Sequence, residues 1–379
     1  MEVAASFGRL GLTAFGGPIS HLGYFRDEFV TRRKWLTDAQ LAEIIALAQA
    51  TPGPASSKVG MQIGYEHAGL LGAFIAWLTF TLPSAIVMTA FAFGVGHVDP
   101  NASWIHGLLL AAVAVVATAI LGMVRTLTPD APRLSFALVI AAALVVLPAT
   151  GITQLGAIVI GAIAGRWLSP KELDDVQPSA SRISIWPFVA MTAFLAFLAL
   201  SFVSPPASVL GEFTRFYAAG ALVFGGGHVV LPLLQDRFVT PGLIDQNTFL
   251  AGYAVAQVIP GPLFTFAAFL GARVLPVGGI LGASIGLIGI FLPSALLLFA
   301  FVPTWQALRA NNGFRRALIG INAAVVGILA AAFYQPILTS AVHDARDVAI
   351  ALVAFSGLYA LKLPPVVVVA GAALLRSFF

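Results

Sequence analysis

Two stretches decide how this 379-residue chain folds: Gln49-Ala50-Thr51-Pro52-Gly53-Pro54-Ala55-Ser56-Ser57-Lys58 and Gln257-Val258-Ile259-Pro260-Gly261-Pro262-Leu263-Phe264-Thr265. Each sets a Pro-Gly-Pro triplet between apolar runs. Proline lacks a backbone donor and glycine adopts backbone angles closed to other residues, so a helix entering such a triplet stops and a new one starts beyond it. In hydrocarbon an unpaired backbone amide is costly, and broken helices persist only inside protein or beside a wet cavity. The two triplets therefore mark the places where chemistry is expected.

The flanking sequence is that of a membrane protein. Hydrophobic residues make up 59% of the chain without its 37 glycines, against about 45–50% with glycine included in soluble domains. Charged residues are only 9%, where soluble proteins carry about a quarter. This composition excludes disorder, coiled coil and nucleic-acid binding. The net charge of +4 has its densest cluster at Arg32-Arg33-Lys34 beside Trp35, which suits a cytoplasmic membrane interface. With no cysteine there is no disulfide and no thiolate metal site, and no metal or cofactor is expected. Met1-Glu2-Val3 lacks the basic stretch of a secretory signal, so the first apolar segment is expected to remain in the membrane.

Uncharged runs at 68–96, 103–124, 183–203, 274–308 and 317–342 are each long enough for one crossing. The run 134–165 divides at Pro148 and Gly151, and 348–375 divides around Lys362-Leu363-Pro364-Pro365. The polar stretch 169–182 splits the chain near its middle, and three motifs recur in order on either side. Phe15-Gly16-Gly17 is matched by Phe224-Gly225-Gly226, Pro52-Gly53-Pro54 by Pro260-Gly261-Pro262, and Leu82-Pro83-Ser84 by Leu292-Pro293-Ser294. The intervals are 37 and 31 residues in the first half and 36 and 33 in the second. Ordered motifs at near-equal spacing predict an internal repeat: residues 1–168, a polar linker at 169–182, a connecting transmembrane helix at 183–203, and a second repeat at 204–379.

The basic loops favour inverted repeats. The loop 97–102 lacks Lys and Arg while its counterpart 303–316 carries Arg309, Arg315 and Arg316; the next pair of loops reverses the bias. A conflict accompanies this reading. If the loops at Arg32–Lys34 and Arg125–Arg133 are both cytoplasmic, residues 37–66 enter and leave on one side, and a single crossing by residues 5–24 then makes the halves parallel. Inversion requires residues 37–66 to cross once, or one of the charge assignments to mislead.

The chemistry is expected at the breaks. Thr37-Asp38-Ala39-Gln40 reads as a capped helix start, and Pro54 as the first position of a second half-helix. Ala55, Ser56 and Ser57 then present free amides and two hydroxyls, an arrangement that suits an anion, with Lys58 adding a full charge. In the second half Pro262 and Thr265 occupy the matching places and Arg273 lies near the far end. Gly16, Gly17, Gly225 and Gly226 would let the chain bend or approach the breaks, with His21 and His228 close behind. Simpler roles compete: glycine and proline as packing devices, Lys58 and Arg273 as interfacial snorkels, the histidines as structural hydrogen-bonders, and Gln49 and Gln257 as caps for loose carbonyls. Glu43 would carry protons if buried and would be merely solvated if not. Gly282-Ala283-Ser284-Ile285-Gly286 fits a serine nucleophile pattern, but it lies inside an apolar helix as part of a small-residue seam with no placed base.

At this point the residues resemble a known family. Gly11–Tyr24, Gln49–Ser57, Phe224–Leu234 and Gln257–Phe266 are similar to the chromate ion transporter family in its fused two-repeat form. The resemblance implies an all-α polytopic membrane protein with two antiparallel repeats and about thirteen crossings. It further implies export of chromate across the bacterial cytoplasmic membrane. Sulfate or another tetrahedral oxyanion is the alternative substrate, and a homodimer a possible assembly. No G-x-x-x-x-G-K-[ST] nucleotide loop is present, in keeping with secondary transport.

Overall fold

The computed structural model describes residues 1–14, 17–95, 103–147, 151–169, 185–203, 208–223, 229–274, 276–305 and 311–378. In the first half the apolar runs form α1 (Glu2–Thr13), α2 (Gly17–Phe25), α3 (Asp38–Ala50), α4 (Ala55–Val95), α5 (Ser103–Leu127), α6 (Ala131–Val146) and α7 (Gly151–Leu168). α2 continues as a π-helical turn over Arg26–Arg32. After α8 (Trp186–Leu200) come α9 (Val209–Leu222), α10 (Val230–Phe238), α11 (Gln246–Val258) and α12 (Phe266–Arg273). The last four are α13 (Gly279–Phe301), α14 (Asn312–Ala332), α15 (Ala345–Tyr359) and α16 (Pro365–Phe378). No strand occurs among the described residues. Ala55–Gly94, Ser103–Leu127, Gly279–Phe301 and Asn312–Gln335 are long and apolar enough to cross a bilayer. The chain is an all-α polytopic membrane protein.

Local chemistry fixes the helix starts. Thr37 accepts from Gln40 N–H at 3.2 Å and its own N–H donates to Gln40 Oε1 at 2.8 Å, the expected capping box. Asp130, Asp245, Asn311 and Asp344 cap α6, α11, α14 and α15 in the same manner. One start differs from expectation. Pro54 lies one residue before α4, its carbonyl accepting the first helical bond from Lys58 N–H at 3.0 Å. Pro262 likewise precedes a short 3-10 turn, Leu263–Thr265, in extended conformation. The division of 134–165 and of 348–375 into helix pairs agrees with the sequence.

The chain doubles back where a single crossing was expected. Glu2, at the start of α1, lies 3.8 Å from His67, whose ring stacks on Trp35. Trp35 stacks on Phe29, and Phe29 on Phe7 of α1. Both ends of the α1–α2 pair therefore lie together, with the Ala14 turn at its tip. The pair formed by α3 and residues 55–67 is a second hairpin, since Gln40 and Glu43 share one cavity with Gln62 and Glu66. Within α4, Ala68 and Gly69 leave helical geometry, and residues 70–95 fold back so that Gly64 and Gly72 meet backbone to backbone. The second half has the same close approach between Gly271 of α12 and Gly282 of α13, after the turn at Gly278 and Gly279. Gly286 adds to that seam, and the Ser284 hydroxyl donates to Ile280 O of its own helix at 2.9 Å. Ser284 thus bonds within its own helix.

Candidate functional site: the helix breaks

The two Pro-Gly-Pro turns share a backbone shape and differ in chemistry. Gly53 and Gly261 have φ of 108° and 102°, a region that favours glycine. Neither glycine bonds to the opposite Pro-Gly-Pro. Gly53 N–H donates to Val223 O at 2.6 Å and Gly261 N–H to Ala14 O at 2.9 Å. Val223 and Ala14 each precede the Phe-Gly-Gly motif of the other half. The contacts are reciprocal in a second respect as well. A Cβ on Gly53 would collide with Ser294 Oγ, and one on Gly261 would lie 2.6 Å from Ser84 Oγ. Each break is thereby seated on the Leu-Pro-Ser helix of the other half.

At the first break the Lys58 side chain is wholly buried. Its ammonium donates to Thr51 O at 2.5 Å, Thr51 Oγ1 at 2.8 Å and Pro52 O at 3.2 Å. An ammonium has three donors, and these three acceptors use them. Lys58 thus caps the carbonyl end of α3, where the helix dipole favours a cation. No carboxylate among the described residues pairs with it, and its three partners are neutral oxygens. Ser56 and Ser57 are buried alongside, and Ser57 Oγ has no hydrogen-bond partner. Ser294 Oγ, against Gly53, is also unpartnered. The amides of Ala55, Ser56 and Ser57 precede the first helical bond of α4.

The second break is apolar. Leu263, Phe264 and Phe266 are buried, and the Thr265 hydroxyl donates to Pro262 O at 2.8 Å. Phe266 stands where the first half has Lys58. Arg273 is exposed at the far end of α12, 3.5 Å from Ala92 O, away from the break. Gln257 bonds to buried Tyr253, while Gln49 is exposed. His21 is buried with Nε2 3.1 Å from Ala14 O, the carbonyl that Gly261 also bonds. Gly16, Gly225, Gly226 and His228 lie outside the described residues, and Gly17 opens α2.

Three groups of residues belong to this region without having been singled out from sequence. Thr51 receives the lysine, and Ser84 with Ser294 gauges the breaks. Gln62 and Glu66 follow Lys58 at helical intervals along an otherwise largely apolar arm, a stripe visible as 58, 62 and 66. Gln40, Glu43, Leu47, Gln62, Glu66 and Trp305 line a cavity of about 260 Å³ beside the α3 hairpin. The matching second-half positions are Thr248, Ala251, Val255, Leu270 and Val274 for the first five; all but Val255 are buried. Polar residues line the cavity beside the first hairpin, whereas the matching positions of the second are Thr248 and four aliphatic residues.

Comparison with known proteins identifies the family. The description of the chromate transporter family matches residues 1–166 and 210–376. A chromate transport protein of Cupriavidus metallidurans is 27% identical over 382 residues, covering 99% of this chain and 92% of that protein. A probable chromate transport protein of Synechococcus elongatus is 28% identical, covering 100% of this chain and 95% of its own length. A chromate transport protein of Pseudomonas aeruginosa is 29% identical over 87% of this chain and 79% of its own. No solved structure matches the chain. With a match over both halves, the chain belongs to the chromate transporter family.

Proposed function

We propose that this protein exports chromate across a bacterial cytoplasmic membrane and holds the anion at the first break, against Ser56, Ser57 and the amides that open α4. The observation that carries the reading is Lys58: a wholly buried lysine with no acid paired to it among the described residues, next to an unpartnered buried hydroxyl. A buried charge without a counter-ion is unfavourable, and a dianion arriving at the α4 N-terminus supplies what is missing. The ammonium acts there through its field, since its donors are committed to Thr51 and Pro52. The second break contributes shape rather than charge. The names of the relatives favour chromate over sulfate.

The hairpins bear on orientation. If α1–α2 and α3 with residues 55–67 both re-enter from the cytoplasmic side, residues 70–95, α5, α6 and α7 give four crossings. α8 then turns the second half over, and the conflict between the basic loops disappears. The halves are then inverted repeats with nine crossings, in place of about thirteen. Hairpin tips from both faces meet at the Gly53–Val223 and Gly261–Ala14 bonds. A dianion leaving a cell gains about 4.6 kcal/mol at roughly 100 mV, twice the single-charge value. That energy sustains about a thousandfold gradient without a nucleotide.

Uptake of chromate into inverted membrane vesicles tests the site. Ser57→Ala should weaken apparent affinity about tenfold, the scale of one hydrogen bond to a charged group. Lys58→Ala should abolish uptake. Normal uptake by both variants would remove the first break as the site, and competition by excess sulfate would replace chromate with the broader oxyanion class.

A further inference from the structure

A second cavity, of about 60 Å³, lies between α6, α7, α10 and α14, far from the helix breaks in sequence and polar where the chain is otherwise apolar. α7 brings Gln154 and α10 brings Gln235 and Asp236, while Thr240 and Gln335, both exposed, form its rim. Gln154 is 5% exposed, and the Oε1 atoms of Gln154 and Gln235 are both buried without a hydrogen-bond donor. Buried amide oxygens are rarely left in this condition. The backbone adds further oxygens. Ala331 and Ala332 line the cavity where α14 ends, and the chain then passes into a π-helical turn, Phe333–Leu338, in which Gln335 leaves helical geometry with φ of −132° and ψ of 115°. Pro336 follows. Having no N–H, it returns no bond to Ala332 O in α-helical register or to Ala331 O in π-helical register. The helix ends favour positive charge: α6, α10 and α14 present their C-terminal turns through Leu144, Asp236 and Ala332, against the single N-terminus of α7. Asp236 adds a carboxylate, with Arg237 next to it but outside the lining.

We propose that this cavity binds a monovalent alkali cation, held by the amide oxygens of Gln154 and Gln235, the Asp236 carboxylate and the carbonyls released at the end of α14. The inference goes beyond the anion reading and does not depend on it. Neutral oxygens around one carboxylate match a single charge, whereas a calcium site gathers several carboxylates. A transition metal prefers imidazole or thiolate, and neither lines the cavity. Broken helices in transporters commonly lend their unwound carbonyls to such a cation. The volume suits one ion with a water or two, the share of a water in the liquid being about 30 Å³. Gln154 comes from the first half of the chain and the other ligands from the second, so the ion joins the two halves. Waters alone would serve the same oxygens, and ion-specific binding separates the two cases.

The test is equilibrium binding of radioactive sodium, and of rubidium as a stand-in for potassium, to the purified protein in detergent, with choline chloride holding ionic strength constant. Wild type should bind one ion per chain, displaced by its own unlabelled chloride and not by choline. Gln154→Leu and Gln235→Leu should each weaken binding about tenfold, the scale of one contact to a charged group. Both remove an amide oxygen that has no donor, so folding should survive, and circular dichroism checks that it does. Thermal melting gives a second readout. The chloride of the bound ion should raise the wild-type melting temperature above that in choline chloride, by mass action, while Gln154→Leu melts alike in both salts. No saturable binding of either ion and no melting shift in wild type would mean that waters alone fill the cavity, and overturns the proposal. Binding unchanged in both glutamine variants places the ion elsewhere and overturns it equally. Chromate is left out throughout, so the result stands whether or not the protein carries that anion.

Discussion

Replacing Gly53 by alanine should be among the most damaging single-methyl changes in the protein, and the structure gives its size. Gly53 has φ of 108°, and a side chain held there costs about 1–3 kcal/mol. The new methyl collides with Ser294 Oγ, and overpacking of this kind costs a further 1–3 kcal/mol or so. If the tip retreats to relieve the collision, the 2.6 Å bond from Gly53 N–H to Val223 O is lost instead, at about 1 kcal/mol. A destabilisation of about 4 kcal/mol follows, roughly a thousandfold in the folded population. Unfolding by increasing SDS in mixed micelles, followed by circular dichroism, reads this directly. The collision part is separable. Ser294→Ala alone removes an unpartnered hydroxyl and should be nearly neutral, yet in the Gly53→Ala background it should recover about 1–2 kcal/mol. Ser84→Ala, which faces Gly261, should recover nothing. Gly53→Ala at wild-type stability, or equal rescue by the two serine changes, would refute the reciprocal seating of the breaks.

Two further outcomes follow from charge placement. Asp347 is fully buried and joined by His106 at 3.0 Å and Arg376 at 3.1 Å, which ties the starts of α5 and α15 to the end of α16; Asp347→Ala should cost about 3–5 kcal/mol in the same SDS titration. Asp130 caps α6, and its bonds to the Arg133 side chain and N–H hold its carboxyl below the ordinary 3.8. A depressed carboxyl contributes stability above its unfolded value that is lost as pH falls through the folded one, so Asp130→Asn should lower stability at neutral pH, flatten the acid limb below about pH 4 and converge with wild type in stronger acid.

Much of this was legible in sequence because helices in lipid obey few rules. Uncharged runs gave the crossings, Thr37 and Gln40 gave a helix start, and repeated Pro-Gly-Pro triplets gave the breaks. The α1–α2 hairpin was not legible. Residues 5–24 are apolar over a length that suits one crossing, and nothing local distinguishes a turn at Ala14 from a kink. The reversal is set by Phe7, Phe29, Trp35 and His67, whose stacking joins segments far apart in sequence. The partner of each break was hidden for the same reason. Gly53 needs a neighbour with no bulk to spare, but that the neighbour is Ser294, about 240 residues away, is tertiary information. Lys58 beside the break leaves an anion-facing role and an interfacial snorkel equally open in sequence, because its burial and its bonds to Thr51 and Pro52 depend on the tip folding back over its own start.

On the proposed function, the asymmetry between the two breaks follows from what a charged solute requires of two similar turns. Geometry is duplicated: positive-φ glycines, hydrogen bonds to the opposite half and serine-lined seats occur on both sides. Charge is not duplicated, because Lys58, Gln62 and Glu66 meet Phe266, Leu270 and Val274 at the matching positions. Two buried lysines facing one another across the tips would repel without an anion between them, and would hold a dianion too tightly to release it. One cation, saturated by carbonyls and a hydroxyl, gives an attractive field with no donor locked onto the cargo. At the apolar counterpart Leu263, Phe264 and Phe266 are buried, and on the proposed function they would form the dry side of the site. On the proposed function, a polar approach at one break and a packed seal at the other would be complementary parts of one site.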